Sequence, residues 1–274
     1  AEDLGNVGPD YQHGYGRIEA SSALDHIKTD KGCGYAVIED SVDWFNNSDE
    51  HFFNIDAGRP YVKATLVWDD DSPALPAANA LVNDLDLILE QVNVVSYFPF
   101  VLDPVNPANP ATFGADTINN VEQTLVQGPS VGRWRVRVFG ANLPGGGGQD
   151  YSLMITTGPA FVDFLNLPNI GNPAFAMKFK DQYSPNYPFI AFLSTSSGGF
   201  PWIDGRVIDF FPQALFAQGL LDSNGEAIVS VPIPFDPGLI GATFYVGFAI
   251  IDPSATNFAD ILRSSSCGKR ITIL

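Results

Sequence analysis

Short runs of alternating apolar and polar residues fill much of the chain. They are clearest at residues 35–39 (YAVIE), 61–68 (YVKATLVW), 134–139 (WRVRVF) and 151–155 (YSLMI). A period of two is that of a strand with one face in a core and the other in water. Arg133, Arg135 and Arg137 share one face of their run, and Trp134, Val136 and Val138 share the other. The arginine face is expected in solvent and the tryptophan face in the core. Glycines 145–148 make a turn between the last two of these strands. Beyond residue 160 the runs become almost uniformly apolar, as in 174–179 (AFAMKF), 189–193 (FIAFL), 226–231 (EAIVSV) and 243–250 (TFYVGFAI). Strands buried on one face and partly covered on the other read this way. Turn residues at 222–225 (DSNG) and 232–238 (PIPFDPG) separate them. Helical spacing occurs at residues 17–27, where Ile18, Ala23, Leu24 and Ile27 recur after a Gly/Pro-punctuated loop. The pattern predicts an all-β chain with a short loop and helix over residues 1–32. Two jelly-roll-like β-sandwiches follow, over 33–158 and 159–274, with Gly158-Pro159 at the boundary. So small a helix needs a body to pack on.

Composition narrows the function classes. The 274 residues are 45% hydrophobic and only 16% charged, which suits a packed core rather than a disordered chain. A net charge of −17 leaves no basic patch to neutralise phosphates, which argues against nucleic acid and anionic membranes. No apolar run reaches the roughly 18 residues of a membrane span. Ala1-Glu2-Asp3 is not the basic start of a signal peptide, so the beginning reads as the middle of something longer. Two cysteines, Cys33 and Cys267, make no scaffold or zinc pattern; one long-range disulfide and two separate thiols both remain open.

The chemistry gathers at residues 66–71 (LVWDDD) and 81–87 (LVNDLDL), two apolar runs joined by a loop and carrying acids. They are expected to lie side by side with their carboxylates close. On an extended strand Asp84 and Asp86 share a face about 7 Å apart, at ~3.3 Å per residue. Such a pair faces water or holds a cation between its members. Asp69, Asp70 and Asp71 bring further hard oxygen ligands, which fit calcium better than zinc or magnesium. The alternative is a solvated acidic turn. A second cluster, residues 116–123 (DTINNVEQ), reads as a hydrogen-bonded turn before a strand.

Catalytic patterns are missing. His13, His26 and His51 sit in no HExxH helix, no GxSxG elbow is present, and no glycine loop opens a helix with a lysine. The histidines read as structural or surface groups. Of the four tryptophans, Trp68 and Trp134 fall on core-facing strand positions. Trp202, in the loop-like 198–205 (GGFPWIDG), is the candidate exposed aromatic for a ligand such as a sugar.

Taken in order, several segments resemble the C-terminal part of subtilisin-like serine proteases (subtilases). Residues 8–24 (GPDYQHGYGRIEASSAL) resemble the loop and last helix that close the catalytic domain. Residues 65–70 (TLVWDD), 81–87 (LVNDLDL), 119–123 (NNVEQ), 132–136 (GRWRV) and 149–153 (QDYSL) resemble the jelly roll that follows it in a calcium-dependent subset, similar in layout to the P domain of proprotein convertases. The family's catalytic Asp, His and Ser motifs are absent, so the chain alone is not expected to be an enzyme. The resemblance implies calcium at Asp70, Asp84 and Asp86, with Asp69, Asp71, Asn83 and Glu122 as neighbours. It implies a secreted bacterial protein whose partner is its own catalytic domain. Residues 159–274 resemble the β-rich C-terminal extensions of large secreted bacterial proteins. The expected function is a calcium-stabilised accessory region that supports the catalytic domain or docks protein substrate. The alternative is a stand-alone β-sandwich that binds polysaccharide or a cell surface.

Overall fold

The computed structural model describes residues 2–20, 23–24, 26–27, 37–74, 80–144, 146–157, 161–202, 206–210, 212–266 and 269–274, with the main chain alone at 161, 197–198, 200, 207–210 and 259. The architecture is all-β, as the alternation predicts. Ten strands build the first sandwich: β1 (Val37–Val42), β2 (Ser48–Ile55), β3 (Tyr61–Val67), β4 (Asp84–Gln91), β5 (Val95–Tyr97), β6 (Phe100–Val101), β7 (Thr112–Phe113), β8 (Val121–Gln127), β9 (Gly132–Asn142) and β10 (Gln149–Thr156). One sheet has the order β1-β10-β3-β8, the facing sheet has β2-β9-β4-β5, and β6 and β7 form a ribbon. All pairs are antiparallel. From β1 to β4 each strand crosses to the other sheet, so every alternating strand sends its apolar side chains inward from one wall or the other.

The core of this sandwich includes Leu66 and Trp68 from the β3 end, Leu85, Leu87 and Leu89 from β4, and Trp134, Val136 and Val138 from β9. Trp134 is fully buried, with its ring stacked on Tyr97. The opposite face of β9 is an ionic ladder rather than bare solvent. Arg135 pairs with Glu50 and Glu90, and Arg137 with Glu90, across three neighbouring strands. Burial alone raises the Glu90 carboxyl, but the two arginines outweigh it and hold it below the ordinary range.

The second sandwich comprises β11 (Phe161–Phe164), β12 (Ala176–Lys180), β13 (Pro188–Ser194), β14 (Ser197–Pro201), β15 (Val207–Phe210), β16 (Ala214–Leu220), β17 (Glu226–Ser230), β18 (Thr243–Ile251), β19 (Leu262–Ser265) and β20 (Lys269–Thr272). The five-stranded sheet runs β16-β13-β18-β19, with β20 also on β18; β11-β12-β17 forms the three-stranded sheet, and β14 and β15 form a ribbon. β18 is covered on both faces, by the main core at Val246, Phe248 and Ile250 and by a smaller cluster with Leu262 and Trp202 at Ala249, which explains its largely apolar sequence. Phe175, Phe179, Phe189 and Phe248 dominate the core. The expected boundary at 158–159 and the pairing of Cys33 with Cys267 lie outside the described residues.

The N-terminal segment runs along the first sandwich. Ala20, Ala23, Leu24, His26 and Ile27 are α-helical, while Ile18, Leu24 and Ile27 are exposed. Gly8 has φ +83 and lies so close to the Phe100 ring that a Cβ there would come within 2.7 Å of it. No described helix is long and apolar enough to cross a membrane.

A buried ionic junction joins the two sandwiches. Arg59, in the β2–β3 turn, pairs with Asp56 (3.3 Å) and, through both terminal nitrogens, with Asp181 after β12 (2.6 and 3.1 Å). Arg206 pairs with Asp56 (2.7 Å) and donates to the carbonyls of Leu262 and Arg263. Asp181 also accepts from Ser184 and Ser264. All four charged side chains are almost completely buried. Burial by itself raises the Asp181 carboxyl; Arg59 reverses this and holds it below the ordinary range.

Candidate functional site

The two acidic runs meet, but not as adjacent strands. β3 and β4 belong to opposite sheets, and their ends are joined by Asp70. The N–H groups of Val82 and Asn83 donate to its two oxygens (2.6 and 2.8 Å). Asp70 therefore clamps the two ends of the intervening loop. Trp68 donates its indole N–H to the Asn83 carbonyl (3.0 Å), and Asn120 donates its amide to the Trp68 carbonyl (2.7 Å). The Asn83 amide donates to Gln149 Oε1 (2.9 Å), and Gln149 donates to the Asp69 carbonyl (3.0 Å). The motif residues of four separate segments thus form one hydrogen-bonded staple across the end of the sandwich. Asn83 is buried for that purpose, with Leu85 and Leu87 on the same strand face. Asp69 and Asp71 line a different groove, with Glu39, Asp40 and Asp150.

Asp84 and Asp86 face away from the core, as their spacing predicts. There they meet Asp116 and Glu122. Where β5 stops, the edge of β4 has no strand partner among the described residues, and Glu122 from the facing sheet takes that place. Its Oε2 accepts the Leu87 N–H (2.6 Å), and its Oε1 accepts the Asp116 N–H (3.4 Å). Asp116 folds the turn before β8, accepting from the N–H groups of Ile118 and Asn119 and from the Asn119 amide. This is the hydrogen-bonded turn that residues 116–123 suggest. The position of Asp116 beside Asp84 and Asp86 is not visible in the sequence, because about 30 residues intervene.

Electrostatics register the crowding. Burial pushes the Glu122 carboxyl up to about 9, and Asp86 and Asp116 add to the rise against the pull of its two backbone donors. Asp84 is pushed up to about 6 by burial and then by Asp86, Asp116 and Asp70. Asp86 is raised by burial and by Asp116. Asp84 Oδ1 is buried with no hydrogen-bond donor among the described residues. Tyr15 of the N-terminal loop donates its hydroxyl to the Val121 carbonyl (3.2 Å), and burial with Asp116 and Glu122 nearby pushes its phenol up to about 12. No three described Asp, Glu, His or Cys side chains converge closely enough to enclose a metal ion by themselves. The donor set is all hard oxygen, and Asp84 has one oxygen without a partner; those two features fit a calcium-type cation. Asp84 and Asp86 are the side chains that would hold it, and Asp70 and Asn83 hold the loop in place.

The remaining candidates lie elsewhere. Trp202 is half-buried, stacked on Phe258 (5.6 Å between ring centroids, 29° between planes) and packed against Ala249 and Leu262. His51 bonds to the Tyr151 hydroxyl (2.7 Å), which in turn donates to Asp49 (3.2 Å). His13 lies beside Asp10.

No known protein family matches the chain, and no curated protein matches it. Among solved structures it is similar to the adhesin domain of Epf from Streptococcus pyogenes, at 9% identity and a TM-score of 0.25, covering 86% of this chain and 76% of that one. It is also similar to a GH2 β-galacturonidase from Eisenbergiella tayi bound to galacturonate, at 8% identity and a TM-score of 0.28, covering 82% of this chain and 35% of that one. At these scores neither likeness bears on the site.

Proposed function

We propose that this chain is a non-catalytic, calcium-stabilised accessory region of a secreted subtilisin-like serine endopeptidase, whose sandwiches support the catalytic domain or dock its substrate. The observation that carries the reading is the gathering of Asp84, Asp86, Asp116 and Glu122 beside Tyr15, with no ion pair to any of the four among the described residues. Four carboxylates so placed repel one another until a proton or a cation intervenes. Calcium supplies the compensating charge and completes its shell with backbone carbonyls and water. Tyr15 belongs to the segment that resembles the end of a subtilase catalytic domain, so the cation would sit where that segment meets the sandwich. The exposed Ile18 and, on the helical turn, Leu24 and Ile27 suit a segment made to pack against a catalytic body.

The test is thermal unfolding of the whole chain with calcium and with chelator. Calcium should raise the melting temperature, and Asp84→Asn combined with Asp86→Asn should abolish that rise while leaving the chain folded. An unchanged melting temperature in EDTA, together with no calcium by elemental analysis, would leave the cluster as partly buried carboxyls balanced by protons alone. The chain should not cleave casein; turnover above background would overturn the non-catalytic reading.

A further inference from the structure

A groove of about 720 Å³ opens at the β1–β2 turn, lined by Trp44, Phe45, Asn47, Asn142, Leu143 and Pro144 among others. Trp44 is 69% exposed and Phe45 96%. Two neighbouring aromatic side chains left so open, beside a groove of ligand size, mark a binding surface rather than a packing accident.

The groove is built to keep its shape. Asp43 caps the turn, its Oδ1 accepting the N–H groups of Phe45 and Asn46 (both 2.7 Å), and the Asp43 N–H donates to the Asn46 carbonyl (2.9 Å). Gly140 donates to the Asn47 carbonyl (2.9 Å), which fixes the turn to β9. The floor is Leu143, a core residue packed so close to Gly140 that a Cβ there would come within 2.6 Å of it. The backbone that presents the aromatic rings is thus braced over a buried floor, and the ordering left to binding is that of the two side chains.

Charge selects the ligand. The chain carries −17, yet none of the described residues lining this groove is charged. What they offer is two π-faces and the exposed side-chain amides of Asn47 and Asn142. Rings that cover the C–H face of a pyranose, with amides that donate to and accept from its hydroxyls, match an uncharged sugar. An anionic lipid is disfavoured by Asp43 in the turn itself and by Asp49 and Glu50 on β2.

We infer that this groove binds a neutral oligosaccharide, with Trp44 as its stacking platform. The site is separate from the acid cluster and does not depend on calcium. The experiment is titration calorimetry of the whole chain with cellohexaose, xylohexaose, mannohexaose and maltohexaose, in EDTA and in calcium. At least one should bind in both buffers. Trp44→Ala should weaken that binding tenfold or more and Asn142→Ala several-fold, with unchanged melting temperatures. Trp202→Ala should leave it unaltered. Absence of binding to all four sugars, or full affinity in Trp44→Ala, would overturn the inference. So would binding to phosphatidylcholine vesicles that Trp44→Ala removes, since that would assign the aromatic pair to a lipid surface.

Discussion

Asp70 and Asp84 are fourteen residues apart and do opposite work. Both Asp70 oxygens are occupied by backbone N–H groups, so its replacement leaves two donors unanswered inside the staple. Asp70→Ala should lower stability by about 2 kcal/mol in urea titration, with or without calcium, at the level of charged hydrogen bonds. Asp84 has an oxygen with no donor, so its replacement should matter mainly when calcium is present. Acidity gives a second readout for Asp84 and its neighbour Glu122. In the metal-free fold the Asp84 and Glu122 carboxyls titrate near 6 and 9, above the ordinary 3.8 and 4.5. The stability that their bound protons confer is complete below the ordinary values and is lost as pH rises through 6 and then 9. The melting temperature in EDTA should therefore fall between pH 5 and pH 9, and calcium should restore most at the alkaline end. A flat profile in EDTA would show that the carboxylates are not crowded in solution.

Among elements, the strands were the most legible. Trp134, Val136 and Val138 fall in the core and Arg135 and Arg137 on the other face because a pleated strand has no other choice. What periodicity could not give is which strands pair. LVWDDD and LVNDLDL look like neighbours because they follow one another, yet they lie in opposite sheets. Glu122 and Asn83 were legible as members of motifs but not as partners of Leu87 and Gln149, since those bonds form only after the sheets face each other. Trp44 lies among the turn residues Asp43, Asn46 and Asn47, which mark a loop, but only the folded turn reveals how far its ring stands open. Turns were easier. Gly225 ends the DSNG turn with φ +73, and a Cβ there would strike the Asp181 carbonyl. The Gly225 carbonyl also accepts the Asp181 N–H (2.8 Å). Gly225→Ala should cost about 1–3 kcal/mol, from backbone strain together with displacement of Asp181. Asn224→Ala, one position earlier, should cost much less.

At the scale of the molecule the junction of Asp56, Arg59, Asp181 and Arg206 decides how the sandwiches behave. Two positive and two negative groups are buried together, so removing one strands another. Arg59→Ala should lower stability by about 3–5 kcal/mol. Calorimetry should show one cooperative transition in the parent chain and two in this variant, one for each sandwich. A single unshifted transition would mean that the junction does not couple them. No local pattern announces this feature, because Asp56 and Arg59 meet partners more than 120 residues away. The buried charges also constrain what can replace them: an apolar set of similar volume would have to change all four residues at once.

The junction also bears on biosynthesis. Asp56 and Arg59 leave the ribosome roughly 120 residues before Asp181, and chains fold from the N-terminus as they emerge. During that interval each can neutralise the other, since they already pair across the β2–β3 turn. The first sandwich is complete at β10, with its charged turn quiet but still hydrated. Only when Asp181 and Arg206 arrive can the four side chains bury one another as they do in the folded chain. A nascent chain with Arg59 replaced would wait with a lone Asp56, and its second half would dock late or askew.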